Sequence, residues 1–106
     1  MKTVALALLG LALIVASAAH ALGSSAAGVE IKEFRFAPTA LEIRQGTTVT
    51  WTNHDEETHT ITSTTGAFGS RGLGNDETFA QTFTRPGTYE YFCALHPKMR
   101  AAVIVK

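Results

Sequence analysis

Cys93, His96 and Met99 are spaced three residues apart in the run Tyr91-Phe92-Cys93-Ala94-Leu95-His96-Pro97-Lys98-Met99, and Cys93 is the chain's one cysteine. Thiolate, imidazole and thioether together make a soft donor set that selects copper. One more imidazole completes a trigonal His₂Cys site with a weak axial Met. Beyond residue 21 the remaining histidines are His54 and His59. His59 opens a strand-like run, His59-Thr60-Ile61-Thr62-Ser63, whereas His54 lies in an acidic loop beside Asp55 and reads as a solvated histidine. Ligands on rigid elements are held more precisely, so His59 is the expected fourth donor.

Spacing constrains how these donors can meet. On an extended strand, residues three apart lie ~10 Å apart on opposite faces, too far to share an ion. On one helix, six residues carry Met99 well round the cylinder from Cys93. A tight loop between two strands removes both objections, and Pro97, which cannot donate to a ladder, fits a loop. The three donors are therefore expected at one end of a β-structure, on the turn joining its last two strands.

Each residue also has a plainer reading. A single cysteine is most often a buried core residue, and a single histidine a surface or capping residue. Cys93 as a nucleophile with His96 or His59 as base would need an orienting group and would give Met99 no role. A structural or adhesive sandwich without metal leaves the Cys-His-Met coincidence unexplained. Zinc fits less well because its structural sites usually hold two or more thiolates, and c-type haem would need a second cysteine. Copper storage or delivery shares the donor set with electron transfer and stays open as the alternative.

The start of the chain reads as a targeting segment. Lys2 precedes an uncharged apolar run, Val4 to Val15, of about 12 residues against the ~20 that a membrane-spanning helix needs. Ala19-His20-Ala21 suits a small-x-small cleavage site, with Ala16-Ser17-Ala18 as a second. Residues 1–21 are thus expected to be a secretory signal peptide, without stable membrane insertion after cleavage. The absence of a twin-arginine pair favours the general secretory route, with metal acquired after export. Cleavage removes Lys2 and leaves a formal charge near −1, which together with the lack of a basic stripe argues against nucleic acid. What remains is enough for one domain, and a lone thiol in an oxidising compartment is a liability unless buried or bound.

The elements that must position the donors are short strands. Residues 22–28, small and polar, read as a flexible lead-in, with the domain over residues 29–106. Val29, Ile31, Phe34 and Phe36 suggest an opening strand with an irregularity, such as a bulge, near Glu33. Leu41 and Ile43 suggest a second strand, closed by a Gln45-Gly46 turn. Thr47 to Asn53 is nearly all β-branched and is the most secure strand. Asn53 to Thr58 is an acidic loop, and Gly66 to Asp76, with four glycines, a long irregular one. Thr78 to Thr84 alternates with Phe79 and Phe83 on one face. Arg85-Pro86-Gly87-Thr88 suits a type II turn, and Thr88 to Cys93 and Ala101 to Val105 are the last strands. Trp51, Phe34, Phe36, Phe79 and Phe83 are expected in the core. Seven to eight strands without helical periodicity predict an all-β, antiparallel sandwich.

With those residues on the page, the chain resembles a cupredoxin of the plastocyanin/amicyanin type over essentially the whole region after the signal segment. The block Val49-Thr50-Trp51-Thr52-Asn53, then five residues, then His59 is similar to that family's Asn-x₅-His first-ligand block. Leu73 to Phe79, Phe83, Gly87-Thr88-Tyr89-Glu90-Tyr91 and Cys93-x-x-His96-x-x-Met99 resemble its second half. The two residues between His96 and Met99 match the short ligand loop of amicyanins. The resemblance implies an eight-stranded Greek-key sandwich binding one copper ion, Cu(I)/Cu(II), through His59, Cys93, His96 and Met99. It implies a periplasmic (or extracellular) single-electron carrier, not an enzyme, acting as a monomer with redox protein partners that dock on an apolar patch near His96. Leu95 and Pro97 fit that patch; Lys98 stands where such loops are often apolar.

Three positions depart from the family pattern. Thr58 and Thr60 flank His59 where the family has Pro and Asn, so the Thr60 hydroxyl is the expected substitute for the Asn tie between ligand loops. Leu95 replaces a proline, and its N–H is expected to donate to the Cys93 thiolate beside that of Thr60.

Overall fold

The structure, a computed structural model, describes residues 25–106. The expected signal peptide and residues 22–24 of the expected lead-in lie outside these residues. The eight strands are β1 (Ala26–Lys32), β2 (Arg35–Ala37), β3 (Ala40–Ile43), β4 (Thr47–Asn53), β5 (Thr62–Ser63), β6 (Thr78–Phe83), β7 (Gly87–Cys93) and β8 (His96–Val105). They form two four-stranded sheets, ordered β2-β1-β4-β6 and β3-β8-β7-β5, so the sandwich expected from the sequence holds. Two pairings, β1 with β4 and β3 with β8, are parallel, which makes both sheets mixed where antiparallel ones were expected. The opening strand starts at Ala26, earlier than the predicted domain start at Val29, because Ala26 to Gly28 pair with Thr48 to Thr50.

Alternation along β4 sends Val49, Trp51 and Asn53 inward, each fully buried. Across the sandwich β7 presents Tyr91, and the two large rings meet edge to face at 5.5 Å. Phe36 packs on Tyr91 at 4.8 Å. Phe68, from the glycine-rich loop, stacks on Trp51 and meets Phe83 edge-on at 5.3 Å. That loop, read from the sequence as merely irregular, thus supplies Phe68 and the buried Leu73 to the core. Burial of such large apolar side chains contributes roughly 1.5–3 kcal/mol each.

The irregularity expected near Glu33 is a tight reversal, not a bulge. β1 and β2 pair antiparallel from Lys32↔Arg35, and Glu33 and Phe34 both have left-handed backbones, φ 54° and 57°. That is the turn whose twist matches a two-residue hairpin. It places Phe34 at the tip, 43 % exposed, outside the core predicted for it.

Candidate metal centre

The β7–β8 hairpin explains how Cys93 and His96 meet. Ala94 and Leu95 alone make the turn, and Cys93 is the cross-strand partner of His96; directly opposed residues share a face. The next pair is Phe92↔Arg100, so residues 97–99 are extra residues on β8 with no partner in the ladder. Bulges tolerate proline, and Pro97 sits in this one, just past the two-residue turn, not in the tight inter-strand loop that was expected. The extra residues re-aim the strand: Met99, in step with the inward-facing Ala101, Val103 and Val105, is buried. Met99 and His96 line one cleft of about 440 Å³ with Phe34, Pro97 and Lys98.

His59 comes from a different kind of element. It opens no regular strand; it forms an isolated bridge with Leu73, donating its N–H to the Leu73 carbonyl (3.1 Å) and accepting from the Leu73 N–H (2.8 Å). Ser70 continues this irregular ladder, its hydroxyl accepting from the Ile61 N–H at 2.9 Å. The rigidity expected from a strand is supplied by the glycine-rich loop.

These elements bring three donor atoms together. Cys93 Sγ lies 3.7 Å from His59 Nδ1 and 3.6 Å from His96 Nδ1. His59 and Cys93 are fully buried, and His96 is half-buried. Metal–sulfur and metal–imidazole bonds of ~2.3 and ~2.0 Å at a trigonal to tetrahedral angle put the donors roughly 3.5–3.8 Å apart. The residues present therefore fit a single small ion. His54 is elsewhere, 40 % exposed, paired with Glu30.

Asp55, part of the acidic loop in the sequence, carries a role that the sequence reading did not give it: its side chain is only 13 % exposed and its Oδ2 lies 2.9 Å from His59 Nε2. Desolvation pushes the Asp55 carboxyl up, but the Phe34 N–H, the His59 ring and the Glu33 N–H outweigh it and hold the group below the usual carboxylate range. An ionised carboxylate can only accept, so His59 Nε2 carries the hydrogen and Nδ1 turns its lone pair toward the sulfur. A carboxylate four residues before a ligating histidine was the available signal, since such histidines donate their other N–H to a carboxylate, carbonyl or water.

The sulfur also has its own partner. The Thr60 N–H donates to Cys93 Sγ (3.3 Å), and the Ala94 N–H donates to the Thr60 hydroxyl (2.8 Å). Thr60 is thus the tie between the two ligand segments. The donor expected from Leu95 is not among the bonds to the sulfur of the described residues; the turn gives Ala94, not Leu95, an inward partner.

Asn53 fastens the surrounding loops. Fully buried, it donates through Nδ2 to the carbonyls of Glu57 (2.8 Å), Leu73 (2.9 Å) and Gly74 (3.3 Å), while Oδ1 accepts from the Asp55 N–H (2.9 Å).

A family model described as a cupredoxin-like domain matches residues 5–105. The chain belongs to the cupredoxin-like family. Among its relatives is the amicyanin of Paracoccus denitrificans, 32 % identical over 94 residues that cover 84 % of this chain and 72 % of the relative. Two solved cupredoxins superpose closely. A purple cupredoxin from Nitrosopumilus maritimus has a TM-score of 0.70 at 34 % identity, over 76 % of this chain and 99 % of that one. A mutant of amicyanin in its reduced Cu(I) form has a TM-score of 0.73 at 30 % identity, over 76 % and 82 % of the two chains.

Proposed function

We propose that this cupredoxin is an exported, monomeric carrier of single electrons, holding one copper ion with His59, Cys93, His96 and Met99. The observation that carries this reading is the convergence of two imidazole Nδ1 atoms on the buried Cys93 sulfur at 3.6–3.7 Å. Copper, when bound, supplies the one-electron Cu(II)/Cu(I) couple. The chain's residues do the rest. Asp55 presets the tautomer of His59, and the Thr60 N–H withdraws electron density from the sulfur. Hydrogen bonds within the sandwich hold both, which limits how far the donors rearrange between oxidation states. Burial of Cys93 and His59 excludes water, and His96, half-buried, is the ligand nearest solvent.

Around it lie Phe34 and Leu95, the two large exposed hydrophobic residues among the described ones, 43 % and 56 % exposed. We read this face as the docking site for redox protein partners, with the periplasm as the setting. Nothing in the site is assigned a catalytic role.

Visible and electron-paramagnetic spectra of the protein with one equivalent of copper(II) test the proposal. The expected result is an intense thiolate-to-copper band with narrow hyperfine splitting, lost in Cys93→Ser and on reduction. A colourless protein that binds only copper(I) would overturn the carrier reading and favour copper storage or delivery.

A further inference from the structure

One carboxylate joins the exposed face to the buried ligand. Asp55 Oδ1 accepts from the Glu33 N–H at 2.7 Å, and Oδ2 accepts from both the Phe34 N–H at 2.9 Å and His59 Nε2 at 2.9 Å. Glu33 and Phe34 are the tip of the β1–β2 hairpin, and both hold left-handed backbones that side-chain-bearing residues rarely adopt. The two amides on Asp55 compensate for that strain. The strained tip in turn sets Phe34 edge-on against both imidazoles, 5.0 Å from His59 and 4.9 Å from His96. Asp55 therefore meets Phe34 by its backbone and His59 by its ring, through the same oxygen.

We infer that Asp55 is a positioning residue that couples Phe34 on the docking face to the orientation and donor strength of His59, so that contact on Phe34 is felt at the metal. The coupling rests on the copper reading of the site; the Asp55–His59 positioning within it does not. An anionic acceptor on Nε2–H makes the imidazole a stronger donor, which favours the more highly charged Cu(II). Asp55→Asn removes the charge and turns an amide N–H toward at least one of the three donors, so the preference for Cu(II) falls. Phe34→Ala takes the ring off both imidazoles. Because both changes act through one anchor, their effects should not add.

The test has two arms. In the metal-free protein, proton–nitrogen NMR should show a slowly exchanging His59 Nε2–H, lost in Asp55→Asn and restored in Asp55→Glu. In the copper-bound protein, Asp55→Asn should cut the relative preference for Cu(II) about tenfold, a potential rise of about 59 mV for one electron. Phe34→Ala should shift the potential in the wild-type background and leave it nearly unchanged in Asp55→Asn. Additive shifts, or a potential unmoved by Asp55→Asn while its melting temperature falls, would overturn the coupling and leave Asp55 a structural residue. An unchanged Nε2–H signal in Asp55→Asn would overturn the positioning role. If the wild-type protein formed no blue site, the carrier reading would fail and the coupling with it, while the metal-free arm would still decide the Asp55–His59 positioning.

Discussion

Replacing Asn53 with alanine should unfasten both loops that frame the site without touching a ligand. The side chain is fully buried and meets four partners, its two Nδ2 hydrogens shared among three carbonyls and Oδ1 accepting once. At about 1 kcal/mol net for each of the two donors and the one acceptor, their loss alone costs about 3 kcal/mol. Carbonyls of Glu57 and Gly74 are only partly buried, and water entering the space would recover some of that. A loss of about 2 kcal/mol is the working expectation, a large share of the 5–15 kcal/mol typical of a domain. Urea unfolding of the metal-free wild type and Asn53→Ala measures it, with the slope confirming that both remain two-state. Asn53→Asp serves as the companion variant, because it keeps the acceptor for the Asp55 N–H and sets a second oxygen against three carbonyls. It should be at least as unstable as the alanine variant. A loss under 1 kcal/mol in Asn53→Ala, or an Asp variant as stable as wild type, would refute the view that this residue clamps the loops.

Among the described residues Tyr91 Oη and Trp51 Nε1 make no hydrogen bond of regular geometry, with the indole the one polar neighbour that weighs on the hydroxyl, so Tyr91→Phe should be neutral or stabilise by up to about 1 kcal/mol in urea titrations, since a poorly satisfied buried polar group is removed. Burial pushes the Tyr91 hydroxyl up to about 12; the folded state keeps its proton where the unfolded chain loses it, so stability should fall as pH rises from about 10 to 12. That alkaline loss should be smaller in Tyr91→Phe. Thr60→Val removes the hydroxyl that receives the Ala94 N–H and should cost the metal-free protein about 1 kcal/mol, with a changed thiolate-to-copper band in the loaded form. Because protein hydrogen bonds from Asp55, Leu73 and Thr60 hold His59 and Cys93, removing copper should leave the near-ultraviolet circular dichroism nearly unchanged; a collapse of that signal would show that the metal builds its own site.

What was legible in the sequence follows from what is local. The β-branched run of β4 and the Cys-His-Met spacing each declare themselves within a few residues, so the sandwich and the donor candidates could be read directly; the turn expected at Arg85 to Thr88 is only a bend at Arg85, with Gly87 and Thr88 already in β7. Phe34 could not be placed, because its alternation with Phe36 is broken by a two-residue turn that needs left-handed backbone from Glu and Phe, residues with no turn signature. Asp55 was missed although His59 stands only four residues on, because the two amides that shelter the carboxylate lie at the β1–β2 tip, over twenty residues away, and a loop acid is solvated unless something folds over it. The parallel pairings were hidden too, since strand patterns carry no direction. Pro97 pointed to a break in regular pairing and was right about that, but three unpaired residues inside a strand satisfy it as well as a loop does.

The hairpin geometry also bears on the order in which this chain assembles. Cys93 and His96 are joined by a two-residue turn and can meet on the microsecond timescale of hairpin closure. His59 is 34 residues from Cys93, and β8 must also find β3 in a parallel register that pairs Ala102 with Ala40. Such distant, parallel contacts form slowly because chain closure precedes their reward. The Cys93–His96 contact is thus local and needs only the hairpin, whereas sheltering it needs the stacking of two sheets built from distant segments, so the donor pair on β7–β8 is easy to form and its enclosure is what the whole fold is required for.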